Sequence, residues 1–506
     1  LQARLVIKDE VNVKIEGVDV AVRKKLVDKF KYEVPGAKYQ PSVRLGRWDG
    51  KVAFCQLGGS TYINLLPDVI PILDAAGYDI EIDDQRTYST KIEFDEFKED
   101  TFAHRTWPVG HPAAGQPIMF RDYQVEIINN FLQNPQALQE IATGAGKTIM
   151  TAALSLSAEK YGKSVVIVPN KDLVRQTELD YINLGLDVGV YFGDRKEVGR
   201  THTICTWQSL NILMKNSEGR RQEDASFRLL RDPTDYTIDD IIDGVALVMV
   251  DEVHMAKADA LKTLLTSVFA HVPIRWGLTG TIPKEEYAAV SIFCSLGPVV
   301  GKLSASDLQD AGHLAQCHVN ILQLLDSVEY KDYQSELKYL TTTAERIAYL
   351  ARLVDKIKEG GNTLVLVDRI ETGKMLQVEL STLFSLLSDK PDVVFVNGST
   401  KAQDRKDEYD EIATATNKII IATYGVAAVG INIPRIFHLV LIEPGKSFVR
   451  VIQSIGRGIR KAEDKDFVQI WDITSNCKFA KRHLTARKKF YQDANYPFTV
   501  EKVDWR

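Results

Sequence analysis

The 506-residue chain carries 63 Lys and Arg against 68 Asp and Glu, a net charge of −5, with 45% hydrophobic residues. That balance excludes a disordered or collagen-like chain and a uniformly basic surface, leaves room for a local basic groove, and suits roughly three domains. Five scattered cysteines exclude a disulfide framework, no apolar run nears the ~18 residues of a membrane span, and Leu1-Gln2-Ala3-Arg4-Leu5 shows no signal pattern, so a soluble, cytoplasmic protein without a membrane partner is expected.

Residues 1 to about 100 read as a separate small α/β module. Val11, Val13 and Ile15 alternate with polar residues at strand period, Gly17 breaks the run, and Val20 to Phe30 carries apolar residues at helical spacing among Arg23, Lys24, Lys25 and Lys29. Asp49-Gly50 then predicts a hairpin turn between two short strands. Arg44, Arg47, Trp48 and Lys51 crowd around it. Cations beside an indole suit phosphate and base contacts, and they equally suit a solvated hairpin with Trp48 in the local core. The Pro/Gly-rich passage from Trp107 to Pro117 predicts a linker and a domain boundary.

Phe120-Arg121-Asp122-Tyr123-Gln124 opens a helix-like run. Gln124 can hydrogen-bond an adenine edge or simply start a polar helix. Next comes Ala142-Thr143-Gly144-Ala145-Gly146-Lys147-Thr148. Its small residues let backbone N–H groups converge at a helix N-terminus, the setting for nucleotide phosphates. Thr143, Gly144, Ala145 and Gly146 line that cradle, Lys147 reaches the β- and γ-phosphates, and the Thr148 hydroxyl holds Mg²⁺. Ile141 stands where the general phosphate-loop pattern has Gly.

Apolar strand-like runs alternate with helix-like ones beyond this loop: Ser164 to Pro169, Thr203 to Thr206, and Val245 to Val250. A charged stretch between about Lys215 and Asp243 reads as a surface insertion. Asp251-Glu252-Val253-His254 ends the last run. At a strand's carboxyl end Asp251 would hold Mg²⁺ and Glu252 would orient and deprotonate the attacking water. Thr279-Gly280-Thr281 suits a hydroxyl relay, or merely a turn.

A second α/β unit begins near residue 305. Thr363 to Asp368, Val393 to Val396 and Lys418 to Thr423 repeat the buried-strand pattern, which predicts another parallel sheet without a phosphate-loop lysine. Gln453-Ser454-Ile455-Gly456-Arg457-Gly458-Ile459-Arg460 follows. Arg457 and Arg460 share one helix face, as arginine fingers or as a basic surface.

In this order the segments resemble the superfamily 2 DExH helicase motif series, from the Gln124 adenine motif through Lys147, Asp251 to His254, Thr279 to Thr281, and Gln453 to Arg460. The resemblance implies two tandem RecA-like doubly wound parallel sheets after a small α/β domain, with ATP and Mg²⁺ as cofactors. It implies catalytic roles for Lys147, Asp251, Glu252, Gln453, Arg457 and Arg460, nucleotide contacts at Gln124 and Gly430, and nucleic-acid contacts at Thr206 and Thr423. Asn432 stands where many relatives have Asp. Gln40 to Lys51 and the overall length further resemble the recombination helicases of T-even-like bacteriophages. That likeness implies a monomeric ATP-dependent DNA translocase acting on single strands, branched DNA and RNA–DNA hybrids, with 3′-to-5′ polarity and strand annealing. A single-stranded-DNA-binding protein or a recombinase would be its protein partner. The expected domains are 1–105, 116–303 and 304–480, with a tail at 481–506. An RNA helicase, a restriction-system motor and an inactive nucleotide-binding adaptor are the alternatives.

Overall fold

The computed structural model describes residues 1–88, 90–111, 113–220, 236–255, 258–400, 402–412, 414–427, 435–446, 456 and 461–506. The chain forms two compact units, 1–141 with 146–302, and 142–145 with 303–506.

The first unit opens with a four-stranded sheet in the order β5-β2-β1-β6, built from β1 (Gln2–Ile7), β2 (Asn12–Glu16), β5 (Ser60–Tyr62) and β6 (Asp79–Asp84). Helices Val20–Lys29 and Leu66–Ala75 cover it, and Asp19 caps the first of them by accepting from the Val22 N–H at 2.9 Å. The predicted hairpin at Asp49-Gly50 is not there. Pro41–Arg44 is a short helix, and β4 (Lys51–Ala53) pairs instead with β3 (Lys31–Glu33). Pro41 at a helix start favours the helical turn, and Asp49 pairs with Lys31 at 2.5 Å, so the turn joins a helix end to a strand.

This module is not separate. Phe54, Leu65 and Val69 share one buried cluster with Tyr287 and Cys294 of helix Glu286–Leu296. Phe54 meets Tyr287 edge-on at 5.8 Å, and Lys262 Nζ lies 4.2 Å over the Phe54 ring. Asn12 Nδ2 donates to Thr266 O (2.9 Å), Glu10 N to Ala270 O (3.0 Å), and Gln136 Nε2 to Glu10 O (2.7 Å). The predicted linker is a loop closed at its base by a Thr106–Pro117 bridge, with Trp107 stacked on His111 at 4.1 Å.

The large sheet of this unit runs β10-β9-β11-β8-β12-β13-β7-β14. Its strands are β7 (Gln136–Ile141), β8 (Lys163–Val168), β9 (Val188–Phe192), β10 (Arg195–Lys196), β11 (His202–Thr206), β12 (Val245–Asp251), β13 (Ile274–Thr279) and β14 (Val299–Leu303). From β9 to β7 the pairing is parallel. The central strands are buried along nearly their whole length, which is why they read as continuous apolar runs. Arg275, fully buried on β13, donates to the carbonyls of Leu265, Phe269 and Ser295, which ties the segment after β12 to the sheet. Of the charged stretch, 221–235 lies outside the described residues.

The second unit is a parallel sheet ordered β17-β18-β16-β19-β20-β15-β21. Its strands are β15 (Gln316–Leu324), β16 (Thr363–Val367), β17 (Asp392–Val396), β18 (Lys418–Thr423), β19 (His438–Ile442), β20 (Phe467–Ser475) and β21 (Phe498–Val503). Residues 481–506 are no tail. Helix Lys478–Asp493 packs on the sheet through Leu484 and Tyr491, and β21 is its edge strand beside β15. Arg487 donates to Asp472 at 2.8 Å through both Nε and Nη2, and Tyr491 to Asp472 at 2.6 Å. The two RecA-like sheets behind a small α/β module are the fold read from the residues.

Candidate nucleotide site

Three neighbouring strands, β12, β13 and β7, deliver the site from their carboxyl ends, where open parallel sheets bind ligands. Residues 142–146, with Thr143, Gly144 and Ala145, connect β7 to helix Lys147–Ala158. Gly144 and Gly146 sit in the left-handed region at φ 95° and 84°. A Cβ on Gly146 would also lie 2.8 Å from Gln124 Nε2. Gln124 is thus packed against the loop, and its Oε1 accepts from the Arg121 N–H at 3.0 Å, capping helix Asp122–Leu132.

Lys147 is buried and its Nζ lies 3.2 Å from Glu252 Oε1, with Ile141 O at 3.4 Å. Glu252 adopts φ 52°, a strained conformation for a residue with a side chain, and one often kept at working sites. Its own N–H donates to Asp251 Oδ1 at 2.8 Å, so the turn that strains Glu252 also orients Asp251. Burial and the adjacent Glu252 charge push the Asp251 carboxyl up to about 7. Burial also pushes against ionising Glu252, but Lys147 and His254 outweigh it and hold that carboxyl below its ordinary value.

His254 Nδ1 lies 2.6 Å from Thr279 Oγ1 and 3.6 Å from Glu252 Oε2. The single proton of the Thr279 hydroxyl is given to Thr281 O at 2.8 Å. Thr279 therefore accepts from His254, which fixes the Nδ1–H tautomer. Burial holds His254 below its ordinary pKa, against the pull of the Glu252 carboxylate.

Thr148, the expected metal ligand, donates its hydroxyl to Asp180 on helix Lys171–Asn183. Asp180 escaped the sequence reading, since a mid-helix acid beside no motif carries no local signal. Thr148 and Asp251 are hard oxygen donors at a helix start and a strand end, a set that fits Mg²⁺. The ion would supply charge neutralisation of the transferred phosphoryl group.

Other expected residues lie elsewhere. Thr206 is buried with its hydroxyl committed to Ser209 at 2.9 Å, where it caps helix Trp207–Arg220. Thr423 ends β18 in the second unit. Arg44, Arg47 and Lys51 are exposed on the N-terminal module, while the Trp48 indole N–H donates to Lys51 O at 2.8 Å. Gly430, Asn432, Gln453, Arg457 and Arg460 lie outside the described residues.

Three family models match the chain: "DNA helicase UvsW, N-terminal" over residues 2–83, "Type III restriction enzyme, res subunit" over 117–284 and "Helicase conserved C-terminal domain" over 345–462. The chain is 23% identical over 490 residues to the "ATP-dependent DNA helicase uvsW" of Enterobacteria phage T4, covering 93% of this chain and 90% of that one. It is 24% identical to the "DNA 3'-5' helicase XPB" of Kineococcus radiotolerans, over 76% of this chain and 65% of the relative. The fold matches a putative HsdR subunit of a type I restriction enzyme from Vibrio vulnificus YJ016 with a TM-score of 0.56 at 18% identity, covering 97% and 85% of the two chains. The chain carries two helicase domains behind a module similar to the N-terminal part of UvsW, and is an ATP-dependent DNA helicase.

Proposed function

We propose that this helicase remodels branched DNA: it moves Holliday junctions, regresses stalled forks and unwinds R-loops. The observation that carries this reading is the N-terminal module, which matches the UvsW N-terminal model and packs directly on the segment following Asp251 and Glu252. A motor cleft tracks a strand but selects no branch, so branch selection needs a second DNA contact. Exposed Arg44, Arg47 and Lys51 offer phosphate contacts without base readout, which suits a structure-selective enzyme. Tyr39, 66% exposed, offers more open ring surface for stacking than the half-buried Trp48.

At the nucleotide site, Lys147 would meet the β- and γ-phosphates, Glu252 would accept the proton of the attacking water, and His254 with Thr279 would relay changes at Glu252 to β13. Arg457 and Arg460 would supply charge to the transition state from the second unit, and Thr423 would contact the strand. Host-cell cytoplasm is the fitting compartment; no helix among the described residues is long and apolar enough to cross a membrane.

The test is a titration of a four-way junction and of a linear duplex at several salt concentrations, with wild type beside the Arg44→Ala, Arg47→Ala, Lys51→Ala triple variant. The expected result is weaker junction binding and a flatter salt dependence, each lost phosphate contact lowering the slope by about 0.9. Equal slopes and affinities would assign branch selection to the motor sheets instead.

A further inference from the structure

Asp180 is a carboxylate without a function in the site as read so far. It lies in the last two turns of helix Lys171–Asn183, which packs along helix Lys147–Ala158. Among the described residues no lysine, arginine or histidine pairs with it, and its partner is the Thr148 hydroxyl. The next residue, Tyr181, locks this register. Tyr181 is fully buried, its hydroxyl lies 2.5 Å from Ser155 Oγ and donates to Thr151 O at 3.2 Å. Asp180 is therefore held against Thr148 by the contacts its neighbour Tyr181 makes one and two turns further along the helix that Thr148 begins.

A hydroxyl that ligates a metal must turn a lone pair toward the ion and its proton away from it. An acceptor on the far side fixes that orientation and makes the oxygen a better donor, and such outer partners typically contribute about 10- to 100-fold to metal affinity. A carboxylate without a cation nearby also adds negative charge beside the place where a divalent cation would sit.

We propose that Asp180 is a positioning residue for the Mg²⁺ site, orienting the Thr148 hydroxyl toward the metal and adding a third carboxylate to Asp251 and Glu252. The proposal rests on reading Thr148 as a metal ligand. It differs from a packing role in one respect: it acts only when Mg²⁺ is present.

The experiment uses the full chain and a fluorescent ADP analogue, N-methylanthraniloyl-ADP. Binding is measured in EDTA and then across a Mg²⁺ titration for wild type, Asp180→Asn, Asp180→Ala and Thr148→Val. The expected result is that Asp180→Ala raises the Mg²⁺ concentration for half-maximal strengthening by about tenfold or more. Asp180→Asn, which keeps an acceptor and loses the charge, falls between it and wild type. Affinity in EDTA stays within about twofold for both, as does the ordering of their thermal midpoints with wild type. Equal losses in EDTA and in Mg²⁺, or Mg²⁺ midpoints unchanged in both variants, would overturn the proposal. If wild type and Thr148→Val respond to Mg²⁺ alike, Thr148 is not a ligand and the site reading falls, taking the role of Asp180 with it.

Discussion

Lys147 Nζ and Glu252 Oε1 lie 3.2 Å apart, so the group that would meet a phosphate and the group that would take a proton neutralise each other. Incoming phosphates compete with Glu252 for the lysine, and success frees the carboxylate. One contact thereby couples nucleotide arrival to the availability of the base. Glu252→Gln removes the base and weakens that competition. Nucleotide affinity is expected to hold or rise, while turnover falls by about 10²- to 10⁴-fold. Phosphate release beside an equilibrium nucleotide titration checks this; wild-type turnover in the variant would reassign the base.

His254 and Thr279 join the strand-end glutamate to β13 through a 2.6 Å hydrogen bond. Thr279→Val keeps the shape and removes the acceptor, cutting the 2.6 Å link between His254 and β13. ATP hydrolysis is expected to fall several-fold and strand displacement to fall further, because the relay rather than the chemistry is cut. Measuring both activities on one preparation decides the point. A proportional loss in the two would argue that Thr279 serves only the hydrolysis step.

The N-terminal module shares its core with helix Glu286–Leu296, so its deletion would bare Tyr287 and Cys294 together with partly buried Val290 and Phe293. Removal of residues 1–100 should therefore lower the thermal midpoint of the first unit and cost ATPase activity, where a separable domain would leave both intact. Phe54→Ala tests the same junction with one side chain, at about 3–5 kcal/mol. Thermal melts of both variants, read with ATPase assays, distinguish the two architectures.

Glu443 follows β19 with φ 42°; its N–H donates to Ile473 O at 3.0 Å, and its carboxylate accepts from Arg346 at 3.1 Å and from Thr474 at 3.3 Å. Burial pushes its carboxyl from 4.5 up to about 7, against the pull of Arg346 and Arg487. Below pH 4.5 both folded and unfolded states hold this proton; between 4.5 and about 7 the folded state holds more of it. Stability is therefore lost as pH rises through that window, by at most roughly 3–4 kcal/mol. The transition of the second unit, followed from pH 5 to 8, should drift downward in wild type relative to Glu443→Gln. Parallel curves would mean that Glu443 ionises normally in the folded chain.

Much of this protein could be read from local sequence, for a physical reason. Parallel strands covered on both faces must be apolar throughout, so Val165 to Val168, Val245 to Val250 and Ile419 to Ala422 announce themselves. The phosphate loop needs left-handed glycines beside a lysine, so Gly144, Gly146 and Lys147 cannot be scattered along the chain. The turn at Asp49-Gly50 was misread because a dipeptide specifies a turn and not the strand that pairs after it; β4 found β3, some twenty residues upstream. Three things were decided only by tertiary structure. Lys262 and Tyr287 make the N-terminal module part of the first unit, through apolar burial between segments more than two hundred residues apart. β21 joins the second sheet at β15 although its own sequence alternates too weakly to declare an edge strand. Asp180 meets Thr148 because two helices pack at one register, and the chemistry of that contact belongs to neither helix alone.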